Sequence, residues 1–294
     1  MQLTQSNHEQ FTSHYTRAID ELCTIVRAHY TNGNLKSAQQ LLRTALQLLE
    51  VDQPLPQLRL KLLLIYGQVL IVEHLLTRED PTNMFAIIRQ AHQLAEESQD
   101  PQRIADALSL LGQAHYFATI VARVQAGQSP NSSQSAGHYN QSLAYQEQAL
   151  ALREDLQDTR GISESCFQVG VIYERWQQYE RSQTCYARAS QLAEQHNYAF
   201  EKTEPTRHRA LYALLQGHLD QALILAQKAL ALREAAHFKP YLPLDHLLLR
   251  DIYQAKGDTA NAQKHTTSAR TIAVEMGYPG LVDSTPDRGI IHNE

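Results

Sequence analysis

The sequence predicts an all-α fold, a solenoid of about six stacked helical hairpins, and three observations lead there. First, Ala45, Ala91, Ala149, Ala189, Ala229 and Ala269 mark one point in six related segments; the last four stand 40 residues apart, after intervals of 46 and 58. A fixed long period is the signature of stacked repeats, each too small to bury its own apolar face. Second, the surroundings of these alanines recur. Ala149-Leu150-Ala151-Leu152-Arg153-Glu154 returns letter for letter as Ala229-Leu230-Ala231-Leu232-Arg233-Glu234, and Ala91-His92-Gln93-Leu94-Ala95-Glu96 parallels Ala189-Ser190-Gln191-Leu192-Ala193-Glu194. Third, Leu, Ala and Gln dominate, Gly and Pro are scarce, and β-branched runs are absent, all of which favour helix.

The hairpins follow in order. The first, residues 10–50, turns at Gly33-Asn34-Leu35, twelve residues before Ala45. A glycine between two apolar-periodic segments reads as a tight helix–helix turn, because it reaches the left-handed region without a Cβ penalty. The second, 55–98, carries Tyr66-Gly67 and, between Leu70 and Met84, a turn about five residues longer than its siblings that contains Thr77 to Asn83, where Asp80 caps a helix opened by Pro81. The third, 101–156, carries Leu111-Gly112 and the larger insertion. Its first helix is expected to run on through Tyr116 to Val124 and overshoot its partner, and the polar, Gly- and Ser-rich stretch 125–137 reads as a mobile loop. In the fourth, 160–196, Gln177-Gln178-Tyr179 holds the turn, and Trp176 is expected to cover it at Tyr179. The fifth, 203–237, turns at Gly217-His218-Leu219, and the sixth, 241–276, at Gly257-Asp258-Thr259. After Gly277 the helical period stops, so 278–294 reads as a frayed tail with Ile290 and Ile291 docking locally.

Val169-Gly170-x-x-Tyr173, followed by Ser182, Tyr186 and Ala189, resembles the tetratricopeptide repeat (TPR) in its longer bacterial form of about 40 residues. Val26, Ala210 and Arg250 replace the glycine in copies one, five and six, and Arg250 is expected to snorkel from a terminal hairpin. The resemblance spans roughly residues 10 to 277 and implies a right-handed α-solenoid whose first helices line a concave groove. In the family register that lining is Asp20, Cys23, Arg27 and Tyr30, then Lys61, Leu64, Gln68 and Ile71, then Asp106, Ser109, Gln113 and Tyr116. Glu164, Phe167, Val171 and Glu174 follow from copy four, and Glu204, Arg207, Leu211 and Leu214 from copy five. Arg27, Tyr30, Lys61, Gln68, Gln113, Tyr116, Phe167, Glu174 and Arg207 are the candidate groove residues. Mixed aromatics, amides and charges suit an amphipathic peptide or helix.

The resemblance implies a non-catalytic scaffold or adaptor for a protein or peptide. The asparagines with which co-chaperone TPR domains clamp a terminal carboxylate are missing, which argues against a heat-shock chaperone adaptor; Arg27 and Lys61 remain as anion-attracting groups. TPR-bearing regulators and peptide-pheromone sensors carry an effector module before the array, and only about a dozen residues precede the first repeat here. The alternative is a small-molecule sensor or unusual enzyme whose pocket, near the third hairpin, is faced by Tyr116, Phe117 and His138.

Other classes have little support. Net charge is −5 with both signs interspersed, so no footprint for nucleic acid or an anionic membrane appears. The apolar stretch Leu60 to Val72 is interrupted and too short to span a bilayer. Cys23, Cys166 and Cys185 are too few for a disulfide framework and, with no signal-like N-terminus, suggest a cytoplasmic protein. The glycosylation-like Asn131-Ser132-Ser133 and Asn140-Gln141-Ser142 then read as chance matches. Fourteen histidines form no metal-binding spacing, so neither a metal nor a cofactor is expected. His29 and His115 take the place of a packing tyrosine, whereas His208, His218, His237 and His246 gather in copies five and six. Open solenoid ends leave a homodimer through those faces as a further expectation.

Overall fold

The computed structural model describes residues 5–51 and 55–282, and among these it is all α-helix and connection, with no strand. Twelve helices form six antiparallel hairpins: α1 (Gln5–Thr31) with α2 (Leu35–Val51), α3 (Pro56–Thr77) with α4 (Thr82–Ser98), and α5 (Pro101–Gln125) with α6 (Asn140–Asp155). The second half continues with α7 (Thr159–Arg175) and α8 (Tyr179–Gln195), α9 (Thr203–Leu215) and α10 (Leu219–Ala235), and α11 (Leu242–Ala255) and α12 (Thr259–Glu275). All six anchor alanines are fully buried, as contacts between successive hairpins require.

The repeat glycines work by closeness. A Cβ on Gly170 would sit 2.7 Å from the ring of Tyr186, itself fully buried, and one on Gly67 would sit 2.9 Å from Ile88. At Gly112 the facing side chain is Gln146, buried, whose Nε2 donates to the Ser109 carbonyl at 2.8 Å. Each of these three hairpins thus pairs a glycine on its first helix with a larger residue facing it, and the partner can change while total volume is kept. The turn glycines Gly33, Gly217 and Gly257 have φ of +80°, +74° and +76°, the left-handed conformation expected of them.

Several expectations fail, each for a local reason. The extra residues of the second hairpin lengthen helix α3 to Thr77 instead of lengthening the turn; its apolar residues remain in a helical period until the left-handed Arg78 ends it. Glu73 and His74 lie within α3, and His74 is buried with Nδ1 2.7 Å from the Glu79 carbonyl. At 22 residues, α3 is long and apolar enough to cross a membrane by length and composition alone, which the interrupted stretch did not suggest, but most of it is packed inside the fold. Cys23, Leu64 and Ser109, assigned to the groove, are buried in the core. Arg250 does not snorkel: it is buried and paired with Asp251, Nε to Oδ1 at 2.7 Å. His115 is half-buried between Phe85 and Tyr145, at 4.8 and 5.6 Å between ring centres, close to the packing role assigned to it.

The tail is the largest departure. Met276, Tyr278, Leu281 and Val282 are buried and join the same apolar cluster as Ile19 and Val26 of α1, Leu35 and Leu42 of α2, and much of α3. A Cβ on Gly33, in the first turn, would lie 2.6 Å from the Met276 sulfur. Burial, with Glu73 and Glu79 nearby, raises the Tyr278 hydroxyl and places it beside the end of α3. Each such apolar side chain contributes roughly 1.5–3 kcal/mol when fully buried. The array therefore closes: its first and last hairpins meet along a seam, which occupies part of the end surface expected to remain open for self-association. Residues 283–294, with Ile290 and Ile291, lie outside the described part.

Candidate functional site

Closure turns the concave face into a central cavity of about 920 Å³. The inward faces of α1, α3, α5, α7 and α9 supply most of its wall. The far side is completed by Phe200, Phe238, Tyr241 and Leu244, and by Leu281 from the seam. Aromatic edges join the two sides, with Tyr30 of α1 5.3 Å from Phe238, which lies 5.0 Å from Phe200 and 5.1 Å from Tyr241. An apolar band (Ile71, Val72, Phe117, Ile120, Val171 and Leu211) faces the interior. Arg27, Gln68, Ser129 and Leu215 are exposed and form its rim.

Of the candidate groove residues, Arg27, Tyr30, Gln68, Gln113, Tyr116, Phe167, Glu174 and Arg207 all lie on this wall. Lys61 does not: it pairs with Asp20 at 2.5 Å, outside the cavity. Asp106 is likewise drawn away, to Arg153. His138, assigned to the small-molecule alternative, is not in the wall either, although Tyr116 and Phe117 are. The four C-terminal histidines do not converge: His208 meets Glu174, His246 meets His265 with Nδ1 atoms 3.0 Å apart, and His218 and His237 are exposed. Among the described residues, no three His, Cys, Asp or Glu side chains come together to hold a metal ion.

The charges in the wall are organised around buried nodes. Glu174 Oε2 accepts from the Tyr186 hydroxyl at 2.8 Å and from His208 Nδ1 at 2.9 Å, while Oε1 accepts from Arg175 at 3.3 Å. Burial pushes this carboxyl up, but His208, Arg175 and Tyr186 outweigh it and hold it down at about 2. Burial likewise opposes the charge on Arg175, and the Tyr116 hydroxyl and Glu174 more than restore it. Glu164 accepts from Gln113 at 3.0 Å and pairs with Arg153 at 3.1 Å; Arg207 pairs with Asp245 at 3.3 Å. Arg27 and Arg78 differ. Neither has an ion-pair partner among the described residues, and burial lowers Arg78 with no carboxylate near enough to offset it. The cavity thus presents two free guanidinium groups in an otherwise neutralised wall.

The repeated hexapeptide explains part of this network. Arg153 and Arg233, 80 residues apart, are buried at the ends of α6 and α10. Each bridges an acid on its own hairpin's first helix and one on the next: Asp106 and Glu164 for Arg153, Glu204 and Asp245 for Arg233. The alanines drew attention in the sequence, but the arginine was equally visible, as were Glu164 and Glu204 at the same 40-residue step. Arg78, Arg175, Phe238, Tyr241 and Leu281 were missed because they lie at helix ends, in connections or in the tail, where the repeat register assigns no groove position.

The insertion between α5 and α6 is fastened, contrary to the mobile loop expected. Arg123 Nε donates to the Ser129 carbonyl at 2.7 Å, Ser132 N to the Arg175 carbonyl at 2.9 Å, and the Tyr139 hydroxyl to Pro130. Trp176 Nε1 donates to the His138 carbonyl at 2.9 Å, so this tryptophan pins the neighbouring insertion instead of covering Tyr179. Ser129, Pro130 and Asn131 are thereby held in the cavity wall.

A family model described as tetratricopeptide repeat matches residues 163–196, the hairpin of α7 and α8. That hairpin is similar to a tetratricopeptide repeat, and the array around it is a helical-repeat solenoid of the same type. None of the curated proteins compared matches it. Among solved structures, aspartyl phosphate phosphatase F from Bacillus subtilis is similar with a TM-score of 0.53 at 14% identity, over 92% of this chain and 80% of that one. BtubC (BKLC) from P. vanneervenii is similar with a TM-score of 0.51 at 17% identity, over 83% of this chain and 91% of that one. At these identities the likeness concerns the TPR-type solenoid alone.

Proposed function

We propose that this TPR-type array is a binding scaffold that takes a short peptide, or a short extended segment of a partner protein, into its central cavity and acts by holding it. The observation that carries the reading is the cavity itself: about 920 Å³, with an apolar band, amides at Gln68 and Gln113, and two unpaired arginines. Sites of roughly 300–1,000 Å³ enclose most of a drug-sized ligand, so closure shortens the occupant from the long helix an open groove would admit. Rigid helices lose little ordering entropy on binding, which lets modest contacts add up. The acids of the wall support binding over chemistry. Glu164, Glu174, Glu201 and Glu204 are each engaged by arginine, and a carboxyl held at about 2 is a poor proton donor or acceptor near neutrality.

Affinity selection of a random short-peptide library on the full chain, beside its Ile71→Glu variant, tests this. The wild-type chain is expected to enrich a defined sequence class that the variant, with a charge in the apolar band, loses. Identical enrichment on both chains would remove the cavity from the account. A second reading, a small-molecule sensor, is favoured by one feature: the extended α5 and its fastened loop add Ile120, Val124 and Asn131 to the wall. Native mass spectrometry of the purified chain separates the two, since a retained small ligand would support the second.

A further inference from the structure

We propose that the cavity selects an acidic peptide, bound extended, whose two carboxylate side chains flank apolar residues and meet Arg27 and Arg78 separately. This names the ligand class of the site read above as a peptide cavity, and it rests on that reading.

The charges of the wall are unevenly divided. Its four acids, Glu164, Glu174, Glu201 and Glu204, lie on α7 and α9 or just before α9, and each is engaged by an arginine. The side supplied by α1, α3 and α5 holds Arg27 and Arg78 and no carboxylate. Neither guanidinium has an ion-pair partner among the described residues, so two positive charges stand uncompensated beside apolar surface. Carboxylates that reach them form charge-assisted hydrogen bonds, whereas a basic peptide is repelled.

Spacing then decides what kind of acidic ligand fits. Helices α1 and α3 run parallel, and the Lys61–Asp20 pair sets their register. Seven residues farther along each helix, Arg27 comes level with Gln68. Arg78 stands ten residues beyond Gln68, about 15 Å farther at 1.5 Å per residue. Between those levels Ile71, Val72 and Leu75 form one stripe of α3, faced by Phe117 and Ile120 of α5. The wall therefore reads cation, apolar stripe, cation. In an extended chain, residues i and i+4 point to the same side and stand about 13 Å apart, which the long arginine side chains can meet. A helix would need about ten residues for the same span, longer than the short occupant that a cavity of about 920 Å³ admits. At this separation the two arginines are set too far apart to grip one terminal residue together. They read a spaced pair of acids.

Calorimetric titration of three acetylated, amidated pentapeptides into the full-length chain tests this: Glu-Leu-Leu-Leu-Glu, Gln-Leu-Leu-Leu-Gln and Glu-Glu-Leu-Leu-Leu. The first is expected to bind at least roughly tenfold more tightly than either of the others. Arg78→Gln, at a half-buried position, is expected to weaken it about tenfold, and Arg27→Gln, at an exposed one, about threefold. The Arg27→Glu/Arg78→Glu chain is expected to prefer Lys-Leu-Leu-Leu-Lys to Glu-Leu-Leu-Leu-Glu, a reversal that a merely damaged cavity would not produce. Equal binding of the glutamate and glutamine peptides, or of the spaced and adjacent acids, overturns the proposal. If a peptide library still enriches sequences that Ile71→Glu loses, but without acids four residues apart, the acidic ligand class is wrong and the peptide site stands. If neither the library nor the pentapeptides bind, the peptide reading fails as well.

Discussion

The two halves of the array are held together by different physics. From α1 to α5 the core is one large apolar cluster, and its buried polar side chains, Gln39, His74 and Ser109, include no permanently charged group. From α6 onward the apolar clusters are smaller, and Arg153, Glu174, Arg207, Arg233, Asp245, Arg250 and Asp251 are all buried. Both insertions fall in the apolar half, whereas the 40-residue step is kept through the ionic half. Apolar packing is non-directional and tolerates a shifted register. A guanidinium that must meet two carboxylates on two helices does not. The regular period is thus maintained where directional contacts depend on it.

The largest expected effect comes from the two copies of one arginine. Arg233 is completely buried, with acid partners 15% and 1% exposed; those of Arg153 are 31% and 39% exposed. Arg233→Ala leaves buried carboxylates uncompensated and is expected to cost about 3–5 kcal/mol. Arg153→Ala, with partners that water can reach, is expected to cost about 1–2 kcal/mol. Urea midpoints measure both, and equal losses would show that burial of the partners does not set the difference.

Acid separates the halves next. Glu174 titrates at about 2 when folded, against 4.5 as its ordinary value. Its stabilisation is therefore complete above about pH 4.5 and disappears as the pH falls through 2, a total of about 3 kcal/mol. Hydrogen exchange at pH values from 5 down to 2.5 is expected to show α7–α9 losing protection before the apolar cluster of α1–α4. Loss in the reverse order would contradict the division.

Glycines give the finest comparison. Gly170→Ala puts a methyl against the enclosed Tyr186 ring and is expected to cost about 1–3 kcal/mol. Gly217→Ala meets nothing within 4 Å, and its φ of +74° alone is expected to cost about 1 kcal/mol. Thermal unfolding of the two variants ranks them.

The hairpins were legible because their determinants are local and repeated: alanine anchors, turn glycines and the Gly170–Tyr186 pairing stand at fixed offsets. Many of the cavity-lining positions on α1, α3, α5, α7 and α9 stand at the same offsets, whereas Cys23, Lys61, Leu64, Asp106 and Ser109 at such offsets turn elsewhere. Closure was not. It depends on Gly33 meeting Met276 and on Tyr278 and Leu281 reaching α1–α3, contacts between opposite ends of the chain that no periodicity encodes. Neither was the fastening of the 126–139 loop, because a stretch rich in Ser, Gly and Asn looks the same whether or not Arg123, Arg175 and Trp176 wait beside it.

Closure is the claim on which the cavity depends, and a cross-link across the seam tests it most directly. A Cβ at position 33 stands 3.5 Å from the Met276 Cβ, within the spacing a disulfide bridges. The full-length Gly33→Cys/Met276→Cys chain is expected to form an intramolecular disulfide under mild oxidation, seen as a faster-migrating monomer on a non-reducing gel and confirmed by peptide mass mapping. Thiols that stay free, or that link only between molecules, would mean that the two ends of the array do not meet.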